Sequence, residues 1–144
     1  MQVFIVGSPL ETAMALDKRR LNKQILEGHQ ILAAIHGETK AWANHPVTRM
    51  YSSMEGVAWL VKYLEVLEAY RDNHFNSLRL LNYEANQLRL PFHTQEYFDH
   101  MKLRLYVKDP IHYKQYAKYF TEGDPEAFTN WYYVDNQWIN YRQS

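Results

Sequence analysis

Apolar residues recur along this chain at intervals of three and four, the period of a helix with one buried face. The longest such run follows Asp17: Leu21, Ile25, Gly28, Leu32 and Ile35 form a stripe, and Gly37 is placed to stop the helix behind it. Upstream, Ser8-Pro9-Leu10-Glu11 has the form of a capping box with proline at the first helical position, so a short turn is expected there, leading into the long helix. Pro46 disfavours helix at His45, which makes 38–46 a loop. A second helix is expected from Ser52 or Ser53 to Asn73, on the stripe Val57, Leu60, Val61, Leu64 and Leu67. A third carries Leu78, Leu81, Ala85 and Leu88 and ends before Pro91. Thr94 can cap a fourth bearing Phe98, Met101 and Leu105, and Asp109-Pro110 opens a fifth, short and aromatic, as far as Phe120. Asp124-Pro125 reads as one more cap. The tail from Phe128 to Tyr141 reads as irregular chain packed by its aromatics, because no alternating apolar pattern of strand length stands out. The expected class is all-α: a single compact helical domain over residues 1–144, of about five helices, with an aromatic-rich irregular C-terminal tail.

Composition changes this picture little. A chain of 144 residues can bury about two-thirds of its unfolded surface, and 47% apolar residues suffice for a core. Twelve Tyr, six Phe and four Trp suit wet pockets, interfaces and base stacking as well as they suit an aromatic-rich core. The absence of cysteine excludes disulfides and thiolate metal sites and fits a reducing compartment. The start, MQVFIVGSPLE, has neither a basic leader nor a signal-peptidase pattern, and no run approaches the roughly 18 apolar residues of a membrane span. A cytoplasmic protein (of the host, if the source is viral) with no membrane partner is expected. The seven histidines include no H-x-x-x-H or HExxH arrangement; His29/His36 and His93/His100 are seven apart, about two helical turns, too far for one ion. No glycine-rich phosphate cradle occurs. Neither metal nor cofactor is expected.

Charge and patterning supply the candidate chemistry. Sixteen basic and sixteen acidic side chains cancel, which weighs against a nucleic-acid binder as a whole. Between Met101 and Phe120, however, Lys102, Arg104, Lys108, Lys114 and Lys118 face one acid, Asp109, and the balancing acids lie mainly in segments such as 122–126. On the first long helix Asp17, Arg20, Gln24 and Glu27 fall at i, i+3, i+7 and i+10 and form one row beside the apolar stripe, where a cleft can partly desolvate them. Lys23 can pair with Glu27 at i, i+4. The row reads either as a chemical site or as an ordinary solvated face. Likewise Trp42 to Tyr51, with His45, Pro46 and Arg49, reads either as a ligand-binding loop or as a helix connection whose Trp and Met pack inward.

The string Leu16-Asp17-Lys18-Arg19-Arg20-Leu21-Asn22-Lys23-Gln24-Ile25-Leu26-Glu27, followed by His45-Pro46-Val47-Thr48-Arg49-Met50 and by Arg71-Asp72-Asn73-His74-Phe75-Asn76, resembles the pyrimidine dimer DNA glycosylase (endonuclease V-type) family, in its divergent bacterial and phage branch. The resemblance covers about residues 14–76, with a looser echo in the Tyr-rich segment after Asp109. It implies a compact helical protein that binds damaged double-stranded DNA, kinks it and flips a nucleotide out. The family excises the base through a Schiff base between the chain's α-amine and sugar C1′, and the same adduct permits abasic-site lyase chemistry. Glu27 matches the family's catalytic glutamate, and Arg20 falls near a family histidine, as a phosphate or sugar contact. Two departures stand out: Leu26 occupies the place of an arginine, and residue 2 is Gln, whose bulk normally keeps the initiator Met. The nucleophilic amine is therefore expected at Met1, or at Gln2 if Met1 is removed.

The resemblance thus implies a site of Glu27, Met1, Gln2 and Arg20, with Lys23, Gln24, His45 and Arg49 around it. The basic Lys102, Arg104, Lys108, Lys114 and Lys118 would hold the backbone, and Tyr113 and Tyr116 would stack or wedge, although their spacing suits a core equally. The alternatives are a non-catalytic nucleic-acid-binding protein on the same fold and a phage accessory interaction module using the aromatic tail.

Overall fold

The computed structural model of the chain describes residues 2–120 and 131–140. The Ser8–Glu11 capping box forms as the sequence implies: the Glu11 N–H donates to Ser8 Oγ at 3.2 Å, and the Ser8 N–H donates to Glu11 Oε1 at 3.1 Å. It starts a separate short helix, α1 (Pro9–Ala15), which ends where Leu16 turns extended. The long helix begins anew at Lys18 as α2 (Lys18–Ile35). Gly37, at φ 75°, and the Glu38 N–H bonded to the Ala33 carbonyl at 2.9 Å terminate it in a Schellman pattern. Pro46, which excludes helix before it, itself opens α3 (Pro46–Met50), a turn inside the segment after the expected loop. Then come α4 (Met54–Arg71) capped by Ser53, α5 (Phe75–Asn86) and α6 (Gln95–Lys108) capped by Thr94. The stretch after Asp109-Pro110 is a turn followed by a 3₁₀ helix over Lys114–Tyr119. The described residues thus form seven helices, more than the five expected because α1 and α3 are too short to show a period.

The tail corrects the expectation of irregular chain. Strands β1 (Trp131–Val134) and β2 (Gln137–Asn140) pair antiparallel, Trp131 opposite Asn140 and Val134 opposite Gln137. Asp135 and Asn136, at φ 53° and 65°, are the two left-handed residues that a two-residue hairpin turn needs, and both types tolerate that region. Four residues of alternation, with Tyr132 and Val134 buried and Trp131 and Tyr133 half-buried, are too few to register as a pattern in sequence. The Asp124-Pro125 cap and the acids around it lie outside the described residues.

Helix α4 is the centre of the packing, against α1, α2 and α5. Its burial extends well beyond the expected stripe: Trp59, Tyr63, Val66 and Ala69 join it, while Val61 is exposed. An aromatic stack of Tyr51, Trp59 and Tyr63 runs through the core, with ring centroids 5.9 and 4.8 Å apart. The initial segment Val3–Val6 is wholly buried in the same cluster. Burying it beside α6 and the hairpin sets the walls of the site described next.

Candidate active site

Asp17 occupies the N-cap position of α2 but its side chain makes no cap bond. Instead the Tyr113 hydroxyl donates to its carboxylate and accepts from its backbone N–H at 3.1 Å. Arg20 Nη1 lies 3.3 Å from Asp17 and 3.5 Å from Asp109, and its guanidinium stands 5.6 Å from the Tyr113 ring centroid. Burial pushes the Asp17 carboxyl up, but the Tyr113 hydroxyl and then Arg20 outweigh it and hold it below the ordinary value. Tyr113 itself is buried, and burial together with the Asp17 bond raises its phenol. These four residues tie the start of α2 to the turn that follows α6.

Farther along α2 the row divides. Gln24 lies between Leu21 at i−3 and Gly28 at i+4, inside the apolar arc; it is 4% exposed, and its amide donates to the Tyr63 hydroxyl at 2.8 Å. It braces the core and presents nothing to a ligand in solvent. Glu27 stays at the rim, its side chain 15% exposed, with Lys23 Nζ 3.8 Å away and 69% exposed. From the last turn of α6, Lys108 lays its ammonium 5.9 Å from the Phe4 ring centroid. Burial first, then the charges of Lys23, Arg20 and Arg104, pull the Lys108 pKa below its usual value, with Glu27 opposing. Arg104, one turn earlier, is only 2% exposed and stands 5.7 Å over the Tyr132 ring. Burial brings its pKa down to about 10. Its side chain supports the wall and offers no exposed phosphate contact.

The loop before α3 supplies the other candidates. His45 caps α3, its Nδ1 accepting from the Val47 N–H at 3.1 Å, so the neutral ring carries its proton on Nε2. The buried ring packs edge-on between Trp42, at 5.3 Å, and Tyr132, at 5.1 Å. Burial pushes its pKa to about 4, leaving it neutral at pH 7. Trp42 points partly outward, 41% exposed and at φ 63°, against the inward packing that the connection reading implies. Arg49 is exposed and pairs with Asp135 on the hairpin turn at 3.3 Å. Gln2 is buried, its amide donating to the Trp131 carbonyl at 3.2 Å. Met1 lies outside the described residues.

The remaining basic residues do not converge on Glu27. Lys114 and Lys118 are exposed on the 3₁₀ helix, and Tyr116 stacks half-buried on Tyr113 at 6.1 Å. Lys102 pairs with Asp99 at 3.8 Å and lines an open cavity of about 660 Å³ with Ser8, Glu11, Arg89 and His93, which includes no residue of α2. Tyr132, which links His45 to Arg104, has no sequence signal: its partners lie 87 and 28 positions away along the chain.

The carboxylate at the rim of α2 lies in the stretch where likeness to known proteins is found. Residues 1–71 match the pyrimidine dimer DNA glycosylase family. That match contains Arg20, Lys23, Gln24, Glu27, His45 and Arg49 and bears out the resemblance read from the LD-x-x-RL-x-KQ-x-x-E string. It suggests pyrimidine dimer DNA glycosylase activity and implies DNA as the substrate. Helix α6, the 3₁₀ helix and the hairpin lie beyond the glycosylase match. No curated protein and no solved structure matches the chain. Among the described residues no helix is long and apolar enough to cross a membrane, and no group of three His, Asp or Glu residues could hold a metal ion.

Proposed function

We propose that this chain is a DNA base-excision glycosylase acting on damaged or modified pyrimidines flipped from a duplex, with abasic-site lyase activity on the resulting sugar. The observation that carries the reading is Glu27: a carboxylate with 15% of its side chain exposed, with Lys23 Nζ 3.8 Å away, within the matched stretch. Cleaving the glycosidic bond leaves positive charge on the sugar, and a fixed, partly desolvated carboxylate stabilises it without reorganising water. Glu27 also handles the proton exchanged in that step. Neighbouring cations attract the phosphates on either side of the lesion. Exposed Lys23, Arg49, Lys114 and Lys118 are the backbone contacts in this reading, and the half-exposed Trp42 offers a stacking face. Gln24, Arg104 and Tyr113 act as the frame. The neutral net charge favours a second reading, a duplex-binding protein without catalysis.

Glu27→Gln keeps the shape and removes the charge. On a duplex carrying one pyrimidine dimer, base release should fall by about 100-fold or more, while duplex affinity in a gel-shift titration stays within a few-fold. Undiminished release would overturn the assignment of Glu27, and binding by the unaltered chain with no release would favour the second reading.

A further inference from the structure

The open cavity of about 660 Å³ lies apart from the row on α2. The capping box of α1, Trp59 of α4, the end of α5 and one side of α6 surround it. Two features of its walls point to one kind of ligand.

The first is a set of rings. His93 lies 4.5 Å from Trp59 and 6.2 Å from Phe98, the latter pair within 30° of parallel, and all three line the cavity. Trp59 is buried beneath, while His93 and Phe98 are half-buried and contribute surface to the wall. The second is charge. Arg89 is exposed and, among the described residues, has neither a hydrogen bond nor an ion pair. Lys102 Nζ stands 3.8 Å from Asp99, too far for a hydrogen bond, and 5.2 and 6.0 Å from the Tyr119 and Tyr116 ring centroids. Against these two cations the lining has one carboxylate, Glu11, whose Oε1 already accepts from the Ser8 N–H.

We propose that this cavity is a second binding site, for a free nucleoside monophosphate, with the phosphate on Arg89 and Lys102 and the base against His93 and Phe98. A phosphate monoester carries about −1.5 to −2 charges near pH 7. It therefore gains more from two cations than the single charge of a backbone diester does. Arginine presents a fork of donors to phosphate oxygens, and lysine a point charge. Aromatic faces accept any base, so the rings impose no base preference. The volume is that of an ordinary small-molecule site, roughly 300–1,000 Å³. A neutral nucleoside would leave both cations unused, and a bare phosphate would leave the rings in water. Because no residue of α2 takes part, the site stands apart from the glycosylase reading.

Isothermal titration of the full chain with adenosine monophosphate and with thymidine monophosphate tests the proposal. Both should bind, and adenosine, inorganic phosphate and a dithymidine phosphodiester should each bind about 10-fold more weakly or worse. Arg89→Gln alters an exposed side chain, so it should keep the parent's melting temperature while weakening both nucleotides by about 10-fold, the loss of one charged contact. Lys102→Gln should act alike, and Phe98→Leu should weaken them by about 5-fold through the lost stacking face. Glu27→Gln should bind them as the parent does. No binding of either nucleotide, equal affinity for inorganic phosphate or the diester, unaltered affinity in Arg89→Gln, or lost affinity in Glu27→Gln would each overturn the proposal.

Discussion

Asp17 illustrates how one residue position can be diverted from its local role. An aspartate at a helix N-cap ordinarily bonds the N–H groups of the first turn, yet here its carboxylate serves Tyr113 and Arg20. Removing the phenolic hydroxyl with Tyr113→Phe leaves a half-buried carboxylate short of a donor, and a bond to a charged acceptor contributes about 1–2 kcal/mol at such a site. The variant should unfold at lower urea at pH 7 by that margin. The sign with pH follows from the lowered Asp17 value. A group held below its unfolded pKa contributes stability above that pKa and loses it as pH falls through the folded one. The deficit of Tyr113→Phe should therefore shrink below the ordinary carboxylate range; an equal deficit at pH 7 and pH 2.5 would contradict this account.

At the scale of elements, the approach of α2 to α4 depends on Gly28. A Cβ there would lie 2.5 Å from Leu64 Cδ2 and 3.1 Å from its Cγ, with Leu64 itself buried in the core. Alanine is the better helix former by about 1 kcal/mol, but forcing a packed leucine aside costs about 1–3 kcal/mol. Overpacking should win. Gly28→Ala is expected to lower unfolding free energy by about 1 kcal/mol, and adding Leu64→Val should recover part of the loss. A stabilised Gly28→Ala single variant would mean that the helices can separate cheaply. The same contact bears on the site, because Gly28 and Glu27 are neighbours on one helix and the spacing of α2 from the core decides how deeply the carboxylate sits.

At the scale of the molecule, three histidines, His45 buried and two others half-buried, sit where protonation is costly. His93 lies against Trp59 at 4.5 Å and His100 against Trp138 at 4.4 Å, and His45 is enclosed by Trp42 and Tyr132. Burial is the leading cause that brings each down to about 4, with Arg89 adding at His93 and Arg104 at His100. Unfolded histidine titrates near 6.5, so between pH 6.5 and 4 the unfolded chain binds more protons and stability falls as pH falls. Each histidine should remove about 1–2 kcal/mol between pH 7 and pH 5, with little further loss from this source below pH 4. Urea midpoints at pH 7 and pH 5 measure it, and a His93→Gln chain should lose less than its parent. Equal midpoints for the parent would place these rings in water.

Much of the helical framework was legible along the chain, because periodicity, the Ser8–Glu11 box, Gly37 and the Ser53 and Thr94 caps are local signals within a few residues of what they specify. The row on α2 was legible for the same reason, and so was the family resemblance over about residues 14–76, which the match over residues 1–71 bears out. Local signals stop at the helix surface. Which members of the row turn inward, as Gln24 does, and which stay at the rim, as Glu27 does, depends on where α4 packs. The pairing of Asp17 with Tyr113 spans 96 residues, and the enclosure of His45 by Tyr132 spans 87, so no spacing announces either. The hairpin escaped notice because four alternating residues and an Asp-Asn turn are faint on their own. Sequence determined the elements, since backbone hydrogen bonding and side-chain period act over a turn or two. Only the tertiary structure decided the burial and the cationic company of each polar group, because those are set by residues that meet through packing and not through the chain.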